Sequence, residues 1–216
     1  MQHIEKLKTF IHDIYGHHLV SLYTYGRQPL RDMSPQYVLL IVDTNDINLL
    51  KRHGSKKKPF NSTVQFYIFT EKELLNAVDV FPIEFLEMQH NKQLIYGSDV
   101  LANITIQTTH LRHECEYTLR SNILKLRSAL LAPKTNVTQL VKESFPIFFS
   151  SLLCIFTFHN ETSPDDTDAC IDALSKLTGI SMTSFKEIIK KPKITDADFQ
   201  VYMDTLSQLT FHVNEL

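Results

Sequence analysis

Leu22-Tyr-Thr-Tyr-Gly-Arg27, followed after six residues by Ser34-Pro-Gln-Tyr-Val-Leu-Leu-Ile-Val42, decides how this chain is read. Leu19 to Tyr25 has the composition of a β-strand, and Gly26 lets the chain turn sharply at its end. Tyr37 to Val42 is a near-continuous apolar run, as expected of a strand covered on both faces. Upstream, Ile4, Leu7, Phe10, Ile11 and Ile14 recur at helical spacing, so an amphipathic helix over 3–15 is expected to open the chain and stop at Gly16. His17 and His18 are expected in the loop that leads into the first strand.

Downstream of this core the pattern keeps an αβ character to about residue 104. A short helix is expected over 45–52, then a solvated loop carrying the basic run Lys51-Arg-His-Gly-Ser-Lys-Lys-Lys58. Thr63 to Thr70 is rich in β-branched and aromatic residues and predicts a third strand. A helix over 71–78, capped by Thr70, should follow. Pro82 to Met88 is read as a fourth strand, and Leu94-Ile-Tyr-Gly97 closes this half. From about residue 105 the period is helical throughout. Helices are expected over 105–131, 136–159, 165–177, 184–190 and 196–213, with Pro133, Gly179 and Pro192 as stops.

Composition bounds the function classes. The chain has 216 residues, 43% of them hydrophobic, which suits one large or two small globular domains. A net charge of −2 supplies no global attraction for nucleic acid or an anionic membrane. The apolar run Phe145 to Phe158 is shorter than the roughly 20 residues a membrane span needs, so a buried bundle helix is expected. The N-terminus has no apolar signal core. Cys115, Cys154 and Cys170 lack both zinc spacing and a disulfide framework, so buried thiols and a cytoplasmic location are expected.

The two quoted stretches resemble the start of a nucleotidyltransferase domain of the minimal or kanamycin-modifying type. In that family a strand ends in a Gly-Ser turn, and a loop leads to a second strand carrying an Asp-x-Asp pair. Asp79 to Gly97 is similar to the family's third-carboxylate strand, and Glu84 matches its acidic position. The resemblance implies an α+β fold: a nucleotidyltransferase-like mixed sheet over 1–104 and a C-terminal all-α helical bundle over 105–216. It also exposes what has changed. Arg27 stands at the family's Ser, and Pro35 and Tyr37 stand at its two aspartates.

The family's chemistry makes these changes consequential. Mg²⁺ is a hard ion that takes oxygen ligands in tight octahedral geometry, usually from one or two carboxylates plus phosphate. Two aspartates at i and i+2 of a strand face the same side and can share it. Pro35 offers no side-chain ligand, and the Tyr37 phenol is neutral near pH 7. Asp43 lies six residues along the same strand, about 20 Å away. Asp32 is the only local acidic substitute, and Glu84 alone is a single carboxylate.

The expectation is therefore a catalytically degenerate member of the fold. It would bind a ligand or a protein partner at an interdomain cleft, through Tyr25, Gly26, Arg27 and Tyr37. No metal site and no cofactor are expected. One alternative is an active Mg²⁺-dependent enzyme that moves a nucleoside monophosphate onto a hydroxyl with Asp32, Glu84 and Glu87. Another is a purely structural subunit. The expected partners are a nucleotide or another anion, or a protein. Neither nucleic acid nor a membrane is expected, and the sequence names neither ligand nor oligomeric state. His110, His113 and Glu114 share one stretch of helix and are read as surface. Arg112, Arg120, Lys125 and Arg127 make the same helix basic.

Overall fold

A computed structural model describes residues 2–26, 36–56, 64–90 and 92–216. The chain divides into two compact units, Met1–Ile106 and Gln107–Leu216.

The first unit opens with α1 (Gln2–Tyr15) and a short 3-10 turn, Gly16–His18. A four-stranded sheet follows, formed by β1 (Leu19–Tyr25), β2 (Gln36–Val42), β3 (Val64–Thr70) and β4 (Gln93–Gly97) in the order β3-β2-β1-β4. The sheet is mixed. β1 runs antiparallel to β2 and β4, whereas β2 and β3 are parallel. Three helices, α2 (Ile47–Lys56), α3 (Glu71–Asn76) and α4 (Pro82–Gln89), occupy the connections.

The alternation of side chains along each strand builds two cores. On one face Leu22, Val38, Leu40 and Val42 are buried with Leu7, Ile11, Ile14 and Tyr15 of α1, and Leu49 of α2 packs beside them. On the other face Tyr23, Tyr25, Leu39 and Ile41 are buried with Leu74 of α3, Phe85 and Met88 of α4, and Leu101 and Ile104 beyond β4. β2 is therefore apolar at nearly every position because helices cover both of its sides. Thr70 caps α3 through a reciprocal capping box with Glu73, as its placement before an acidic first turn predicts.

Two expectations need correction. Pro82 to Met88 is a helix and not the fourth strand. Pro82 stands in its first turn, where its missing N–H costs nothing, and Glu84 complements the helix N-terminus. Pro82, Phe85 and Met88 recur at three-residue spacing and are buried, whereas Glu84 is exposed. That is a helical period, so Glu84 does not lie on a strand among the sheet's side chains. The strand position passes to Gln93–Gly97, read from the sequence only as the closing segment of this half. The basic run is also less of a loop than expected, since its residues up to Lys56 belong to α2. Asp46 starts that helix by accepting the backbone N–H of Asn48 at 2.8 Å.

Tyr23 is fully buried and ties β1 to the segment after β4. Its hydroxyl lies 3.0 Å from the Ser98 carbonyl oxygen and 3.2 Å from Asp99 Oδ1. Lys92 completes the network at 2.9 Å from Asp99 Oδ2. The hydrogen bond from the Lys92 ammonium holds the Asp99 carboxyl below its ordinary range. A carboxyl lowered in the folded state stabilises the protein above its unfolded pKa and loses that contribution as pH falls through the folded value. The stability gap between wild type and Lys92→Met should thus be full at pH 7 and shrink below about pH 4. Urea midpoints measured at several pH values check this. A gap that stays constant down to pH 2.5 would show that the pair contributes no linked stability.

The second unit is helical: α5 (Thr108–Leu130), α6 (Val137–Phe158), α7 (Thr167–Thr178), α8 (Thr183–Ile188) and α9 (Asp196–Glu215). No strand occurs among its described residues. α6 is long and apolar enough to cross a membrane by length and composition, yet 61% of its most apolar window is buried inside the protein. Its aromatic residues explain why. Phe148 is fully buried edge-on to Tyr202 of α9, whose ring stacks on Phe185 of α8 with centroids 5.2 Å apart. The Tyr202 hydroxyl is satisfied by Ser144 Oγ at 3.0 Å, so the one polar atom of this cluster keeps a partner. Cys115, Cys154 and Cys170 are all buried.

Candidate functional site at the strand ends

β1 ends where β2 begins, because the two strands run antiparallel and pair Tyr25 with Tyr37. Their rings stack, with centroids 5.4 Å apart and planes 21° from parallel. β3 adds a third ring to this face. Tyr67 lies 6.4 Å from Tyr25 and 6.2 Å from Tyr37, centroid to centroid. Gly26 sits directly above. Its φ of +93° is a conformation that side-chain-bearing residues rarely adopt, and a Cβ there would come within 2.9 Å of Tyr37 Cδ2. The glycine is thus required twice, once for the turn and once for the ring beneath it.

Gln65 was not singled out in the sequence, and the sheet register makes it part of this group. It pairs with Tyr37 across the parallel β2–β3 ladder, so the two side chains emerge side by side on one face. The Gln65 amide donates from Nε2 to the Tyr67 hydroxyl at 2.9 Å. The signal that points to Gln65 and Tyr67 is the alternation of Gln65, Tyr67 and Phe69 along β3. It becomes informative only once β3 is known to lie parallel beside β2.

The electrostatics keep these phenols neutral. Burial pushes the Tyr25 hydroxyl far above its ordinary pKa, and the nearness of other acidic groups, Tyr67, Glu87, Tyr37 and Glu84, pushes the same way. Tyr37 is raised by burial and by Glu87. Tyr67 is raised by burial, then by Tyr37, Glu87 and Glu84. At neutral pH all three are protonated, able to donate hydrogen bonds and to stack. The carboxylates of α4 act on the rings through space, from a helix over the sheet.

Of the residues expected at the site, Tyr25, Gly26 and Tyr37 come together at these strand ends. Glu84 stands on the first turn of α4, exposed. Arg27, Asp32 and Pro35 lie outside the described residues. The donors around Tyr37 do not fit a Mg²⁺ ion. Among the described strand residues they are protonated phenols and an amide whose nitrogen donates to Tyr67, where a hard cation needs clustered carboxylate oxygens. Among the described residues no group of three His, Cys, Asp or Glu side chains could hold a metal, and this includes His110, His113 and Glu114 on α5.

A mixed sheet whose first strand ends in a glycine turn above the start of its antiparallel neighbour, followed by a helical unit, defines a nucleotidyltransferase-like α+β fold. A solved structure bears this out. The chain is similar to spectinomycin adenyltransferase AAD(9) from Enterococcus faecialis, determined with ATP and spectinomycin. The TM-score is 0.62 at 13% sequence identity, covering 99% of this chain and 98% of that one. At that identity the likeness is one of fold. No protein-family model and no curated protein sequence matches the chain.

Proposed function

We propose that this nucleotidyltransferase-fold protein binds a planar ligand, a nucleotide or another anion carrying a ring, at the tyrosine-lined ends of β1, β2 and β3, and does not transfer nucleotides. One observation carries the reading. The strand position beneath the glycine turn, where the resemblance calls for a metal-binding aspartate, holds the neutral, stacked ring of Tyr37. Its strand neighbour Gln65 is neutral too. Such a surface favours an aromatic ring over a metal-bound triphosphate. AAD(9) was solved with ATP, which makes ATP the first ligand to try. Arg27, next along the chain from Gly26, would supply the anionic contact through its planar fork.

Thermal shift without added metal tests this. ATP, GTP, CTP, UTP and inorganic phosphate form the panel. At least one nucleotide should raise the melting temperature, and Tyr37→Ala and Arg27→Ala should each remove the shift. A charge-assisted contact of roughly 1.5–3 kcal/mol is large enough to be seen. If nothing in the panel shifts the wild type, the binding reading falls and a structural subunit remains. A shift that appears only with Mg²⁺ would favour an enzyme with an altered carboxylate site.

A further inference from the structure

The C-terminal ends of α6 and α9 bring two histidines together. His159 caps α6, and His212 lies in the last turn of α9. Their Nε2 atoms stand 3.4 Å apart, whereas the ring centroids are 5.7 Å apart and the ring planes 13° from parallel. The rings therefore meet end to end, each presenting Nε2 to the other. Both are half-buried and both are held by fixed backbone. α6 ends in a Schellman motif. Asn160 takes the left-handed conformation at a φ of 55°, the Glu161 N–H donates to the Phe156 carbonyl at 2.8 Å, and the Asn160 N–H donates to the Thr157 carbonyl at 3.1 Å. On α9, Leu209 and Val213 beside His212 are fully buried, and Arg112 of α5 donates to the Asn214 carbonyl at 3.2 Å. The imidazoles can turn, but their points of attachment are set.

This spacing suits a metal ion better than a hydrogen bond. A hydrogen bond from nitrogen is ordinarily about 2.7–3.2 Å long, so 3.4 Å is loose. Two imidazole nitrogens, each roughly 2.0–2.1 Å from a tetrahedral Zn²⁺, lie about 3.3–3.4 Å from one another. A turn of the imidazoles aims both lone pairs at that common point. The local field favours a cation too, because two helices end here and each C-terminus carries roughly half a negative charge. Burial, then His159, hold His212 below its ordinary pKa against the opposing effect of Glu215, so at neutral pH it is in the uncharged form that ligates. Imidazole selects transition metals, whereas Mg²⁺ and Ca²⁺ take oxygen. Among the described residues no third His, Cys, Asp or Glu completes a set of three with this pair, so water fills the remaining positions. We propose that His159 and His212 bind one divalent transition-metal ion of the zinc type, which clamps the end of α9 to the end of α6.

The test uses the full chain, treated with EDTA and desalted. Calorimetric titration with ZnCl₂ at about pH 7.5 should show one ion bound per chain, and Zn²⁺ should raise the melting temperature. MgCl₂ and CaCl₂ should do neither. His159→Ala and His212→Ala should each weaken Zn²⁺ binding at least about tenfold, the loss seen even when a ligand's own partner is removed. Binding should also weaken at about pH 5, where protons compete for the imidazoles. Circular dichroism checks that each variant keeps its helices, and His159→Gln or His212→Gln replaces one that does not. His17→Ala and His113→Ala, at the other two places where histidines lie close in sequence, should leave the titration unchanged. No binding of Zn²⁺ by the wild type overturns the proposal. So does binding that survives loss of both His159 and His212, or that disappears with His17 or His113 instead.

Discussion

Gly97→Ala should unfold the αβ unit or destabilise it by about 3–5 kcal/mol, the sum of a strained backbone and an overpacked site. Gly97 has a φ of +83°, and it pairs with Ser21 beside the irregularity in the β1–β4 ladder. A Cβ there would fall on the Val20 carbonyl oxygen and within 3.0 Å of Ser21 Cα. Both are backbone atoms of the central strand, held on their other side by β2, so neither can move aside cheaply. Relaxing the clash means prising β4 from β1, and with it Ser98 and Asp99 from Tyr23. Gly54→Ala is the matched control. Gly54 lies inside α2 with nothing near its would-be Cβ, so alanine there should stabilise by roughly 0.5–1 kcal/mol. Opposite signs for these two substitutions, read from urea unfolding, check the account. Equal and small effects would mean that the β1–β4 contact is looser than described.

The second large effect is an absence of activity. Labelled nucleotide incubated with the protein, Mg²⁺ or Mn²⁺, and aminoglycosides, proteins or RNA ends should not be transferred. Nucleotidyl transfer needs cations to bridge the phosphates and to neutralise charge as phosphorus is attacked. The described strand side chains around Tyr37 are phenols held protonated and an amide hydrogen-bonded to its neighbour. These described strand residues give a divalent ion no carboxylate. Glu84 and Glu87 belong to α4 and not to the strands, and two carboxylates on one short helix do not reproduce a pair on a strand under the glycine turn. Robust incorporation abolished by Glu84→Gln would contradict this and locate a metal site on α4.

Most of the fold was legible because its signals are local. β1, β2 and β3 follow from runs of β-branched and aromatic residues, α3 from Thr70 and Glu73, and α7 from its stop at Gly179. The fourth strand was misplaced because Pro82–Gln89 is short and apolar. In eight residues a strand period and a helix period are easily confused, and the deciding signs were Pro82 at the start and the burial of Phe85 with Met88. The candidate site was half legible. Gly26 and Tyr37 are marked by what the chain around them resembles, and Tyr25 by its place before the turn. Gln65 and Tyr67 could not be found this way, since their proximity to Tyr37 depends on β3 lying parallel beside β2, a pairing between segments far apart in sequence.

The central claim is that the strand ends hold a ligand without a metal. Calorimetric titration of ATP into wild type and Tyr37→Ala, each in EDTA and in excess Mg²⁺, tests it most directly. The account predicts one binding isotherm for the wild type, the same with and without Mg²⁺, and its loss in Tyr37→Ala. Binding that requires Mg²⁺, or that survives the loss of the Tyr37 ring, would contradict it.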